Sequence, residues 1–540
     1  MKEEELINLD KKILVEMVLS LQGTVDQLSG NMNLLLEQIK LMNSRSFSNK
    51  AETASSLNVQ LSLDLHFNEA EALCDEETDE PAIETVIRKK KQKGHKEEFL
   101  KKITNHRDIE LYLTDDELNN KYGKGKWKKL PDEIISKLEH HPASFEVVNY
   151  HIGVYAADDN QTIIRAPKPA ELIPGSIVTP SLLSSIIFAK YVNGVPLYRQ
   201  EKAFENNDIF LSRTNMANWI IMSHERYFRY FYDRLKSILV KEDLIHADET
   251  PFLINKDGRA AGSKSYMWVY RSSVSSDHQI VLYDNCHTRG SANPERFLKE
   301  YKGVVVCDGF DAYHKMGNDE PDRFRIAGCF AHARRKFSDI IKINGSSTLA
   351  DTAIKKIAAI YHEDNRLKDL DPYERKKKRK ETIEPLVDDF FSFIASNIGK
   401  VPDKSATGKA FSYCLNQEKY LRAFLDDPLI PLDNNPAERA IRPFTIGRKN
   451  WVMIDTVKGA DASACIYSII ETGRANNLKL YDYINYLLEE LPKCISGFDV
   501  SIPDRLLPWS DEFPDSLRKT KTHRSDNQNK QIRILTSFYY

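Results

Sequence analysis

No Cys-x-x-Cys pair occurs in this 540-residue chain, and its seven cysteines (Cys74, Cys286, Cys307, Cys329, Cys414, Cys465, Cys494) are scattered and odd in number. That excludes a disulfide framework and a four-cysteine zinc site. The chain also lacks an unbroken apolar run of about 18 residues, so no membrane-spanning helix is expected. The start, Met1-Lys2-Glu3-Glu4-Glu5, is acidic where a signal peptide would be basic, which predicts a cytoplasmic protein. Net charge is nearly absent: 77 Lys+Arg against 79 Asp+Glu leave −2. Such a total says nothing about partners, because local patches can still be strongly basic. What the chain does have is 41% hydrophobic and 29% charged residues, enough for large cores and too apolar for wholesale disorder. At roughly 100–200 residues per domain, three or four domains are expected.

Residues 1–43 carry a heptad. Leu14, Leu21, Leu28, Leu35 and Met42 fall at d, and Val18, Val25, Met32 and Ile39 at a. Gly23 and Gly30 fall at f, which faces water. Valine at a with leucine at d predicts a parallel two-stranded coiled coil, hence a homodimer or higher oligomer. Residues 44–105 read as a linker, with an acidic run from Glu69 to Glu84 and a basic one from Arg88 to Lys102. Residues 106–175 hold short strand-like and turn-like pieces such as Phe145-Glu146-Val147-Val148.

Residues 176–240 read as helices. Thr179-Pro180 is a start signal, Gly194-Val195-Pro196 a break, and Ser212-Arg213-Thr214-Asn215 a second start. Short helices with tight turns suit a helix-turn-helix or an ordinary helical bundle. The period then changes. Leu244–Asp248, Tyr266–Tyr270, Gln279–Tyr283 and Val304–Asp308 are strand candidates, with a helix at Asn293–Tyr301, which predicts a mixed sheet. Residues 332–430 read mostly as helix. They include Arg375-Lys376-Lys377-Lys378-Arg379-Lys380, either a solvated face or a DNA contact. Helices resume at 436–442 and from about 461 to 491, and the tail after Leu517 is polar and basic.

Asp248 and Asp308 close two strand candidates. Neighbouring strands would bring both carboxylates to one edge, where their repulsion calls for protons or cations. Hard oxygen ligands point to magnesium or manganese, and two such ions suit in-line phosphoryl transfer. Glu249, next to Asp248, would face the other side of the sheet. The third carboxylate candidate is Glu438, in Asp433-Asn434-Asn435-Pro436-Ala437-Glu438. Asn435 as N-cap and Pro436 behind it mark a helix start, so Glu438 is either a ligand or part of a capping box. Arg439, Arg442, Arg448 and Lys449 come next and suit a phosphate-lined groove.

These stretches resemble the transposases of the insertion-sequence 66 family, which carry an Asp-Asp-Glu triad. The resemblance runs through His246–Pro251, Cys307–Phe310, Gly328–Phe337, Asp433–Arg442, Gly447–Trp451 and Leu506–Trp509, and through Lys190-Tyr191 and Leu197–Gln200. It implies a ribonuclease-H-like α/β core in two parts, 241–340 and 431–498, split by a helical insertion at 341–430 and followed by a C-terminal segment at 499–540. It implies Asp248, Asp308 and Glu438 as ligands of two ions. It further implies DNA contacts from Arg199, Arg213 and Asn215 in the helical region, and from Arg439, Arg442, Arg448 and Lys449. Cys329 and His332 read as active-site support or as plain core packing. The family usually carries a cysteine-paired zinc module before its DNA-binding helices. Here residues 75–285 contain no cysteine: Leu113–Leu118 and Val154–Asp159 stand where the pairs belong, so no zinc is expected.

The implied activity is cleavage of transposon ends by a metal-activated water, followed by attack of the freed 3′-hydroxyl on target DNA. It would act near the bacterial nucleoid, with or without small accessory proteins. The alternative is a catalytically inactive dimeric DNA-binding protein derived from a transposase.

Overall fold

The computed structural model describes residues 171–344, 347–496, 499–500 and 502–520, with short pieces before them that include 146–149, 154–156 and 163–165. The coiled coil expected at 1–43 (apart from Gln22), the linker at 44–105 and the tail from 521 onward lie outside the described residues. The chain divides into two units, Asn58–Pro169 and the remainder. In the first, β1 (Val154–Ala156) and β2 (Ile163–Arg165) form an antiparallel pair, Val154 opposite Arg165. Glu146, Val147 and Val148, expected as strand-like, are exposed and outside any strand. Apolar side chains that bury nothing give a short run no reason to extend and pair.

The remainder opens with helices whose starts are set by the local sequence. Thr179 caps α1 (Pro180–Ile187) by accepting the Leu182 N–H at 3.2 Å, with Pro180 in the first turn. α2 spans Leu197–Glu205, and Ser212 caps α3 (Arg213–Ser223) through the Asn215 N–H. α4 is Arg229–Leu239. These helices are not a separate bundle. Their buried Leu183, Ile186, Trp219 and Phe231 share one core with the helices and sheet after residue 244.

That sheet contains β3 (Leu244–Lys256), β4 (Lys264–Ser272), β5 (Val281–Cys286), β6 (Gly303–Val306) and β7 (Phe324–Ala327), in the order β5-β4-β3-β6-β7. The first three are antiparallel; β6 and β7 run parallel to β3. The mixed sheet was expected, but β7 was not, and β3 runs eight residues past Asp248. Pro251 interrupts the strand signal, since proline gives no ladder hydrogen bond. β7 is only four residues of Phe-Arg-Ile-Ala.

Helices cover both faces. On one, α5 (Ala292–Phe297) and α6 (Asp311–Asp319) receive the strand aromatics: Tyr270 stacks on Phe297 at 3.9 Å, and Trp268 meets Tyr313 at 5.8 Å. On the other lie α7 (Phe330–Asn344), α12 (Asn435–Trp451) and α13 (Val457–Ala475); Phe252 meets Phe444 edge-on, and Tyr283 lies against Tyr467. Between α7 and α12 come α8 (Thr348–Arg366), α9 (Pro372–Lys378), α10 (Glu384–Ile398) and α11 (Ala406–Leu421). These insertion helices build a second core that takes in Leu244, Val304 and Val306 from the sheet. β8 (Ile454–Thr456) pairs with the far end of β3, and α14 (Leu480–Cys494) packs beside α1.

Within the basic block, Arg379 is fully buried. It pairs with Asp364 at 2.7 Å and donates to the carbonyls of Phe424, Asp427 and Ile430, while Lys376, Lys377 and Lys378 are exposed. One arginine of that block is therefore an internal staple of the insertion.

Candidate active site

Strand pairing brings the first two carboxylates together. β3 and β6 are parallel neighbours with His246 opposite Val306, so Asp248 stands opposite Asp308, two residues beyond β6. Neighbouring strands are about 4.8 Å apart. Alternation puts both on the face that carries Leu244, Val304 and Val306. Asp248 Oδ1 accepts the N–H of Glu249 at 2.9 Å, and Asp308 Oδ1 that of Phe310 at 3.1 Å. Burial, then the Glu249 and Asp308 carboxylates, push the Asp248 carboxyl well above the usual range; Glu438 adds to the push.

Glu438 enters from the start of α12. Asp433 Oδ1 accepts the Asn435 N–H at 3.1 Å and its Oδ2 takes the Tyr361 hydroxyl at 3.3 Å. Asp433 thus does the capping, and the helix starts at Asn435 instead of using it as its N-cap. Glu438 Oε2 pairs with Arg335 at 2.7 Å, while Oε1 lies 3.5 Å from His332 Nδ1. Both Glu438 Oε1 and His332 Nδ1 are buried without a hydrogen-bond partner. An orphaned carboxylate oxygen whose charge is felt at Asp248 fits a hard cation better than it fits a helix cap. Burial lowers the His332 pKa, and Glu438 works against that.

Asn434 holds these pieces in register. It is fully buried. Its Nδ2 donates to the Ala247 carbonyl at 2.8 Å and its Oδ1 faces His246 Nδ1 at 2.9 Å. The amide oxygen can only accept, so His246 donates from Nδ1, and burial lowers that ring's pKa to about 4. The Asn434 N–H goes to Cys329 Sγ at 3.2 Å. One side chain and its peptide therefore tie β3 beside Asp248, the start of α7 and the start of α12. Asn434 lies within the Asp433–Arg442 motif, but nothing in its local pattern sets it apart from a cap. Cys329 Sγ, a His332 ring nitrogen and a Glu438 oxygen lie within 4.8 Å of one another. Burial pushes the Cys329 thiol up to about 12. A protonated thiol that accepts an N–H is a packing and hydrogen-bonding group; His332 is the member that faces the carboxylates.

Glu249 lies on the opposite face, as alternation requires. It is buried, bonded to Arg289 at 2.6 Å and reached by the Tyr313 hydroxyl at 3.3 Å. Burial and Asp308 raise its pKa to about 7, against the pull of Arg289.

A family model described as the transposase IS66 family matches residues 175–462. The chain belongs to that family. It is also 30% identical over 402 residues to the uncharacterized protein y4qI of Sinorhizobium fredii (strain NBRC 101917 / NGR234), covering 72% of each chain. The uncharacterized protein y4jD of the same strain is 27% identical over 357 residues, 64% of this chain and 69% of that one.

The match to the transposase IS66 family spans all three carboxylates and their supports. Two motif glycines are explained by the insertion: a Cβ on Gly309 would lie 2.8 Å from the Tyr413 ring, and one on Gly328 3.2 Å from the Leu421 backbone nitrogen. α11 thus presses directly on the loops after β6 and β7. Of the basic candidates, Arg439, Arg442 and Lys449 are exposed on α12. Arg448 is half-buried instead and donates to Thr250 Oγ1 and the Pro251 carbonyl, bracing β3. Arg199, Arg213 and Asn215 are exposed on α2 and α3, with the Arg213 guanidinium over the Tyr198 ring. Asn450 Nδ2 donates to the Gly194 carbonyl at 3.0 Å, which ties the end of α12 to the break before α2. No helix among the described residues is long and apolar enough to cross a membrane.

Proposed function

We propose that this protein is an Asp-Asp-Glu transposase that cleaves phosphodiester bonds at transposon ends and joins them to target DNA. The single observation that supports it most is that Asp308, from the end of β6, and Glu438, from α12, lie close enough to Asp248 on β3 to disfavour its charge, with Glu438 Oε1 buried and unbonded. The strand order, three antiparallel strands followed by two parallel ones, supports a ribonuclease-H-like core.

Asp248, Asp308 and Glu438 would hold two magnesium or manganese ions. Such ions would supply a lowered pKa for an attacking water and positive charge for the phosphate. The water oxygen forms the new bond to phosphorus and the sugar 3′-oxygen leaves as a hydroxyl; that 3′-hydroxyl then attacks a target-strand phosphorus, and the target's own 3′-oxygen leaves as a hydroxyl. The chain's own part is placement. Arg439, Arg442 and Lys449 lie along the backbone phosphates, the α2–α3 segment holds the end DNA, and Asn434 fixes the distance between β3 and α12. The 1–43 heptad would pair two copies so that both ends are held at once, close to the nucleoid in the cytoplasm.

The decisive experiment incubates full-length protein with duplexes from the borders of its element, with and without magnesium. Cleavage and joined products are expected with magnesium alone as addition. Binding without cleavage under all conditions would favour the other reading, an inactive dimeric DNA-binding protein. Deleting residues 1–43 should abolish dimerisation of the free protein, measured by sedimentation, and leave the core folded.

A further inference from the structure

The far end of α12 carries a strained turn. Val452 has φ 61° and ψ −54°, a region that β-branched residues avoid. The Met453 N–H bonds to the Trp451 carbonyl at 2.7 Å, so Trp451–Met453 is a γ-turn of the positive-φ form, the rarer and more strained one. The turn is clamped from both sides. Trp451 packs edge-on against Phe444 at 5.4 Å, and the Val452 N–H returns to the Arg448 carbonyl. Beyond it, Ile454 and Thr456 pair with Ile254 and Lys256 of β3, and Thr456 caps α13. Outlying backbone held this firmly is a reason to ask what it displays.

It displays two apolar side chains to solvent: Val452 is 56% and Met453 45% exposed. They end a stripe along α12. Arg439, Arg442, Ile446 and Lys449 succeed one another at intervals of three and four, so they share one face of the helix, and all are exposed. Asp455, the acidic residue nearest in sequence to the turn, is already matched by Lys256 at 2.7 Å. The partner that fits is a polyanion with apolar surfaces at its core. From Glu438 to Val452 is fourteen residues, or about 21 Å of helix, which spans about six base pairs.

We propose that Val452 and Met453 form a rigid wedge that enters DNA between adjacent base pairs, about six base pairs from the bond held at Asp248, Asp308 and Glu438, while the α12 stripe tracks the phosphates. This rests on the transposase reading. Apolar side chains inserted at a base step unstack it and bend the duplex, and a preformed turn loses little freedom on entering. Pyrimidine–purine steps, which unstack most easily, should be preferred.

The test uses full-length protein and element-border duplexes carrying a fluorescent adenine analogue at successive positions, with dyes at both ends to report bending. Wild type should brighten the analogue at one step about six base pairs from the cleaved bond, and bend the duplex there. Val452→Gly with Met453→Ser should abolish both signals and weaken binding by roughly tenfold, with no change in the salt dependence. Glycine suits the positive φ, so the turn itself stays folded. Unstacking that survives this variant, or wild-type cleavage without any unstacked step, overturns the wedge and leaves the transposase reading standing. A wild-type protein that binds no DNA overturns both.

Discussion

Asp248 and Glu249 are neighbours in one strand, both acidic and both in buried surroundings with raised pKa values, yet they stand in opposite situations. On its face Glu249 has Arg289 at 2.6 Å and the Tyr313 hydroxyl at 3.3 Å, so its charge is matched by the protein. On the other face Asp248 has Asp308 and Glu438 as neighbours, and the largest charge influences on it, from Glu249, Asp308 and Glu438, all come from carboxylates. A buried carboxylate with its own arginine is a structural element; one facing only other carboxylates requires something positive from outside. The difference comes from a single step of strand alternation.

The sharpest way to break that contrast is to remove one carboxylate at a time. Asp248→Asn, Asp308→Asn and Glu438→Gln are each expected to lower cleavage by on the order of 10³-fold or more, about 4 kcal/mol of transition-state stabilisation, with end-DNA binding retained. Full cleavage by Glu438→Gln in a gel assay at saturating magnesium would remove it from the triad. Asn434→Ala tests the frame. It loses two buried side-chain hydrogen bonds, to the Ala247 carbonyl and His246, and keeps the backbone one to Cys329, so we expect roughly 2–4 kcal/mol less stability by denaturant titration and cleavage slowed by about 10–100-fold. Unchanged cleavage with lowered stability would reduce it to a packing residue.

Glu471 is an intermediate case. It is 6% exposed, pairs with Arg474 at 3.3 Å, and its Oε1 is unbonded among the described residues. Burial raises its pKa to about 7 from an ordinary 4.5. The folded state thus binds this proton more tightly than the unfolded chain. The group's contribution is fully favourable below about pH 4.5 and is lost as pH rises through about 7. Glu471→Gln should flatten that slope and stabilise the protein at pH 8 by up to roughly 3 kcal/mol, as read by thermal melts at several pH values. An unchanged slope means that another group carries it. The smallest effect is expected for Glu249→Gln: about 1–2 kcal/mol of stability, discounted because Arg289 is 44% exposed, with cleavage changed only a few-fold. A collapse of cleavage comparable to Asp248→Asn would show that the two faces are not separate in function.

Much of this is legible in the sequence, because it rests on local rules. Thr179 and Ser212 cap the helices that their start signals predict, Asp248 and Asp308 stand at one sheet edge, and Glu249 faces away. Caps, breaks and two-residue alternation are consequences of the residues within a few positions of each other. The tertiary structure alone decided the rest. Asp433 and not Glu438 caps α12, Arg379 disappears into the insertion, Arg448 turns inward to brace β3, and Asn434 becomes the joint between three elements. Each outcome depends on a partner tens to hundreds of residues away: Tyr361 for Asp433, Phe424 and Ile430 for Arg379, Pro251 for Arg448, Cys329 and Ala247 for Asn434. A polar side chain's local pattern shows what it can donate or accept. Which partner it meets, and whether water is excluded there, is set only when distant segments pack.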